Sequence, residues 1–114
     1  MSISSSDRDN YRNSLQTLYD ALRQAYWAAS TIEAKDAITD LAQTVFDALT
    51  ILNREALDSD AAQYRTLKAT VVAMNSKLQL ARSQTDNWIR VVSIASELTE
   101  CIDEAIGVAA KFVG

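Results

Sequence analysis

Proline and histidine are absent from this chain, cysteine occurs once, at Cys101, and glycine occurs only at Gly107 and Gly114. Each shortage removes a class of structure or chemistry. Sheet proteins need Gly, Pro and other turn formers every ~8–12 residues, and a chain without them points to an all-α fold. Its frequent residues include Ala and Leu, among the strongest helix formers. Without histidine, the commonest general acid-base is missing, and so are most zinc and di-iron ligand sets. With no glycine before Gly107, no Gly-rich loop can cradle a phosphate. A lone cysteine rules out a disulfide framework and suits a reducing compartment.

Targeting signals are missing too. The opening MSISSSDRDN has no basic region followed by an apolar run, so it does not read as a cleaved secretory signal. No window of ~18 residues is free of charge, which argues against a transmembrane helix. The expected location is cytoplasmic, with secretion lacking a cleaved signal left open.

What is present is ordinary for a globular domain. Hydrophobic residues make up 48% of the 114 positions and charged residues 23%, enough for one core and too little chain for two. With 15 acidic and 11 basic side chains, the formal net charge is −4. That balance favours solubility and works against general affinity for nucleic acids or anionic membranes, which want a basic excess.

Apolar seams organise the chain. After a short polar lead over residues 1–6, with Ser6 as N-cap, Tyr11, Leu15, Leu18, Leu22, Ala25 and Ala29 recur at alternating intervals of four and three. They predict a helix over about 7–29. Ser30 and Glu33 have the spacing of a capping box, and the seam then changes phase to Ala34, Ile38, Leu41, Val45, Leu49 and Leu52. This predicts a turn and a second helix; the rival reading is one bent helix reaching about Leu57. Asp58, Ser59 and Asp60 mark the clearest loop. Tyr64, Leu67, Val71, Met74, Leu78 and Ala81 form a third seam, and Ser83 to Asp86 repeats the capping pattern.

The final stretch, Trp88 to Phe112, is the most apolar. One seam runs Trp88, Val91, Ala95, Leu98, Ile102, Ala105, Ala109 and Phe112, and a second runs Ile94, Cys101 and Val108. Together they span an arc of roughly 200°, against about 100° for an ordinary surface helix. Glu97, Glu100, Asp103 and Glu104 fill the remaining face. Such a helix needs two neighbours, which predicts an antiparallel up-down-up-down four-helix bundle. The alternative is two helices of about 50 residues, each roughly 75 Å long, forming a hairpin that dimerises.

Features that could carry function are few. Asp36 with Asp40, and Glu97 with Glu100 and Glu104, read as solvated helix faces, and no catalytic, cofactor-binding or metal-binding residue is assigned. Cys101 lies on an apolar seam beside carboxylates, which disfavour a thiolate, and reads as a packing residue. Trp27 falls on the polar side of the first helix, near Arg23 and Asp20. It reads either as an exposed interface anchor on which Arg23 stacks, or as a side chain packed under the turn to Ile32. Ile51, Val72 and Ile89 lie outside the best core stripes and would mark a partner or oligomer surface if they cluster. Arg65, Lys68, Lys77 and Arg82 make the third helix basic without forming one stripe, so they pair with acidic neighbours rather than suggest a nucleic-acid footprint.

The expected function is therefore a non-enzymatic protein-protein interaction module: an adaptor, chaperone-like, immunity or inhibitor protein acting through a helix face, as a monomer or homodimer. Two alternatives rest on single features. A membrane-active or toxin component would use the apolar C-terminal helix, although its polar face is acidic where interfacial helices carry Lys and Arg. An acidic nucleic-acid mimic would use the negative balance, against the basic third helix.

Overall fold

Four long helices run side by side. A computed structural model describes the backbone of residues 5–53 and 61–113, and the side chains of residues 8–53 and 65–111. The elements are α1 (Ser5–Ala28), α2 (Ile32–Leu52), α3 (Ala61–Arg82), the single turn α4 (Thr85–Trp88) and α5 (Val92–Val113). Helices of 21 to 24 residues are about 32–36 Å long, so each runs most of the molecule's 44 × 20 × 19 Å. Helix α1 packs against α5 and α2, and α3 packs against the same two. The result is an antiparallel bundle in which α1 and α3 are diagonal. No helix among the described residues is long and apolar enough to cross a membrane.

The seams fill the centre. Tyr11, Leu15, Leu18, Leu22 and Ala25 of α1 meet Ile38, Leu41, Val45, Leu49 and Leu52 of α2, and Leu67, Val71, Met74, Leu78 and Ala81 of α3. From α5 come Ala95, Leu98, Ile102, Ala105 and Ala109, with Cys101 on the buried edge. The most extensively packed pair is α1 with α5. Alanines at Ala21 and Ala25, and at Ala95, Ala105 and Ala109, present little bulk, and small residues let helix axes approach closely.

The break between α1 and α2 is real, and its cap sits one residue later than the expected Ser30. Thr31 is extended (φ −141°, ψ 164°), and its Oγ1 accepts from the Ala34 N–H at 3.0 Å. That bond satisfies one of the orphan donors every helix N-terminus leaves. Ser30 is used across the fold instead: its N–H donates to the Trp88 carbonyl at 2.8 Å and its Oγ donates to the same oxygen at 3.1 Å. The break after α3 is also real, but Ser83 does not cap α4. Its Oγ donates back to the Leu80 carbonyl at 2.7 Å, and α4 has no side-chain cap.

The last quarter departs from expectation. Rather than one helix from Trp88 to Phe112, the chain leaves α4 at Ile89, which is extended (φ −133°, ψ 120°), and re-enters a helix at Val92. Ile89 forms an isolated antiparallel bridge with Ala29. The sequence Ile-Arg-Val-Val here is rich in β-branched residues, whose restricted χ1 favours extended backbone. Ile89, expected on an outer surface, is buried at 2% exposure, while Val91, expected in the core seam, is 48% exposed. Cross-chain pairing with the α1–α2 turn reverses the two sides that helical phase assigns. From Ala95 onward the two seams of α5 pack as expected; the Phe112 side chain lies outside the described residues.

The loop expected at Asp58 to Asp60 and the polar lead over residues 1–4 also lie outside them. Ser5 and Ser6 are already helical.

On the basic third helix, Lys77 and Arg82 pair with acidic neighbours, whereas Arg65 and Lys68 form no ion pair among the described residues. Lys77 Nζ lies 3.7 Å from an Asp40 carboxylate oxygen on α2, and Arg82 pairs with Asp103 on α5. All four side chains are substantially exposed, so each pair contributes at most about 1 kcal/mol.

Candidate functional site

Several surface hollows among the described residues are lined mainly by polar and charged residues. Between α1 and α5, an open groove is lined by Asn10, Asn13, Ser14, Thr17, Glu104 and Lys111, with Val108 as its apolar member. At the α3–α5 end another is lined by Gln79, Arg82, Ser83, Thr85, Asp86 and Thr99. The groove between α1 and α2 differs. Its floor is Leu22, Ile38 and Ala42, and its walls are Arg23, Tyr26, Trp27 and Thr39 around a hollow of about 200 Å³.

Sequence spacing builds these walls. Tyr19, Arg23 and Tyr26 recur at four and three residues, forming a second stripe on α1 beside its core seam. On α2, Lys35, Thr39, Ala42 and Phe46 recur at four, three and four. Because the helices are antiparallel, the stripes meet in reverse order. Tyr19 and Phe46 come together at one end, with ring centroids 6.0 Å apart and planes tilted by 44°. At the other end Tyr26 and Trp27 meet edge to face at 5.2 Å and 89°. Lys35 Nζ lies 5.0 Å from the Tyr26 ring centroid and 6.0 Å from that of Trp27. Half of the chain's Tyr, Trp and Phe residues thus line one groove.

Trp27 is 80% exposed. It does not pack under the turn to Ile32, which is itself exposed. Leaving a side chain of this size in water forgoes about 1.5–3 kcal/mol of burial, so the fold gains nothing from its position. The cation beside it is Lys35 rather than Arg23. Arg23 borders the same hollow and, with Asp20, Gln24 and Trp27, a shallow depression on its outer shoulder. Asp20 is engaged by Gln16, whose Nε2 donates to its carboxylate at 3.3 Å. Among the described residues neither Arg23 nor Lys35 has a carboxylate within ion-pairing distance.

The other sequence candidates do not join this cluster. Ile51 is half-buried against the core, and Ile89 belongs to the core outright. Val72 is 55% exposed, but α3 is diagonal to α1 across the bundle, which separates it from Trp27. Of the six residues singled out from sequence, Trp27, Arg23 and Asp20 therefore come together, and Ile51, Val72 and Ile89 do not. Sequence reasoning missed Tyr19, Tyr26, Lys35, Ala42 and Phe46. The Tyr19–Arg23–Tyr26 spacing was visible, but which α2 residues face it is decided by packing.

Nothing in the geometry adds a chemical centre. No group of three or more His, Cys, Asp or Glu side chains able to hold a metal occurs among the described residues. Burial raises the Cys101 thiol above its ordinary pKa, and Glu97, Glu104 and Glu100 raise it further. Both effects disfavour the thiolate that a nucleophilic cysteine needs. The α1–α2 hollow, at about 200 Å³, falls below the roughly 300–1,000 Å³ of small-molecule sites, but it has room for a large side chain. No family model matches this chain, and no curated protein or solved structure matches it either.

Proposed function

We propose that this chain is a non-enzymatic protein-interaction module that docks a protein partner on the outer face of α1 and α2. The observation that carries the reading is Trp27: a largely exposed tryptophan, braced edge-on by Tyr26 and overlaid by Lys35. Tryptophan, tyrosine and arginine are the residues in which binding energy concentrates at interfaces. They do so best beside a hollow that an apolar side chain can fill, and Trp27 borders one floored by Leu22, Ile38 and Ala42. The absence of histidine and of an internal Gly-rich loop supports a binding role over catalysis, and the lone cysteine fits a reducing, cytoplasmic setting.

The test is affinity capture from cells that make the protein, with wild type and Trp27→Ala run in parallel after their melting temperatures are matched. Partners lost with Trp27→Ala support the reading. An identical set of partners on both proteins removes it.

A further inference from the structure

The groove also constrains what can occupy it. We infer that it receives an amphipathic helix of a different protein, one whose contact face sets a large apolar side chain between carboxylates. This rests on the protein-binding reading above and specifies the partner's chemistry.

Three observations carry it. First, the lining is apolar at the floor and cationic at the rim. Leu22, Ile38 and Ala42 lie below, Arg23 lines the hollow from α1, and Lys35 of α2 lies against the Tyr26 and Trp27 rings that wall it. Among the described residues neither cation has a carboxylate within ion-pairing distance. The neighbouring Lys77 and Arg82, by contrast, are paired to Asp40 and Asp103. In a chain of net charge −4, these two cations give an acidic partner a favourable landing point. Second, the shape suits a helix. Tyr19 to Tyr26 spans two turns, about 10 Å along α1, between parallel helical walls, and the apolar hollow takes one large side chain. An all-helical surface offers no sheet edge for an extended peptide to extend.

Third, the acidic stripe on α5 of a second copy does not supply the complementary face among the described residues. That stripe carries Glu97, Glu100, Asp103 and Glu104, but the large exposed apolar residues among the described positions are Trp27, Ile32, Phe46, Val72, Leu80, Val91 and Val92. None lies among those carboxylates, so that stripe offers no described anchor to the hollow while it meets Arg23 and Lys35.

The probes are two synthetic helical peptides of identical length. One has a leucine and phenylalanine stripe flanked by glutamates, and in the other every glutamate is lysine. Binding is followed by Trp27 fluorescence in a Trp88→Phe background and by amide shift mapping. The acidic peptide should perturb Tyr19, Arg23, Trp27, Lys35 and Phe46, and bind at least about tenfold tighter than the lysine peptide. That preference should shrink with added salt and reverse in the Arg23→Glu, Lys35→Glu double variant.

Equal binding of both peptides, or none of the acidic peptide at millimolar concentration, overturns the inference. If Trp27-dependent capture of a natural partner persists in that case, the protein-binding reading stands and only the partner's chemistry is wrong. If Trp27 dependence is also absent, both fall. Dimerisation lost on Trp27→Ala overturns it in favour of a second copy. Flotation with phosphatidylglycerol vesicles that needs Arg23 and Lys35, without peptide binding, overturns it in favour of a lipid surface.

Discussion

Helix α1 has two outer flanks, and they are built differently. Toward α5 it presents Asn10, Asn13, Ser14 and Thr17 beside Glu104 and Lys111, a groove of short polar groups. Toward α2 it presents Tyr19, Arg23, Tyr26 and Trp27 beside Lys35 and Phe46. Both flanks border the same core and both belong to one helix, so the contrast does not come from helix formation. The polar flank is what solubility asks of a surface; on the aromatic flank Tyr19 and Tyr26 pack partly against the core, while Trp27 is left 80% exposed. In the proposed function, a partner covering Trp27 would recover that exposure.

Mutations can break this contrast. Core truncations should cost most: Leu98→Ala on α5 and Ile89→Ala at the bridge each remove a buried side chain and should destabilise by about 2–5 kcal/mol in urea titrations. For Ile89 the control is Val91→Ala, expected to change stability by no more than about 0.5 kcal/mol. If that ordering were reversed, Trp88 to Phe112 would be a single helix after all.

Next in size is the thiol. Cys101 has a raised pKa, so the thiolate population at pH 8 is suppressed in the native state. Reaction with a disulfide reagent should be at least about tenfold slower in folded than in urea-unfolded protein. The linkage has a definite sign. The neutral thiol is the form the folded state favours, so its contribution is intact below the ordinary thiol range, and it is lost as pH rises through the raised value. A thiol equally reactive in both states would put Cys101 on the surface.

Thr31→Ala should then cost about 0.5–2 kcal/mol by removing the α2 cap, with Ser30→Ala tested beside it. If Ser30→Ala alone is costly through the cap, the expected capping box was correct and the observed one is wrong. The smallest effect on folding belongs to the aromatic flank. Trp27→Ala should shift stability by no more than about 0.5 kcal/mol, while it abolishes partner capture. A large loss of stability for Trp27→Ala would make it a structural residue and erase the contrast between the flanks.

Periodicity made much of the fold legible. The seam from Tyr11 to Ala25 and the seam from Ala34 to Leu52 are both buried, and the phase change between them located a real turn. The capping residue was misplaced by one, because Ser30 and Thr31 are both competent caps and the competing bond to the Trp88 carbonyl is 58 residues distant in sequence. The same long-range pairing hid the break at Ile89. Local phase places Val91 inward, and only the bridge to Ala29 holds Ile89 in the core instead. The candidate groove was half visible: Trp27, Arg23 and Asp20 share one helix, so spacing alone grouped them.

What the sequence determined by itself was the class of fold, through missing turn formers and alternating three- and four-residue seams, and the shortage of catalytic groups. Those are local or compositional properties, fixed before any helix meets another. What only the tertiary structure decided was which stripes face each other: Phe46 against Tyr19, Lys35 over Tyr26 and Trp27, and Ile89 inside. Each of these depends on the register between two helices or two distant strands of backbone. That register is set by packing the whole core at once, not by any one segment's pattern.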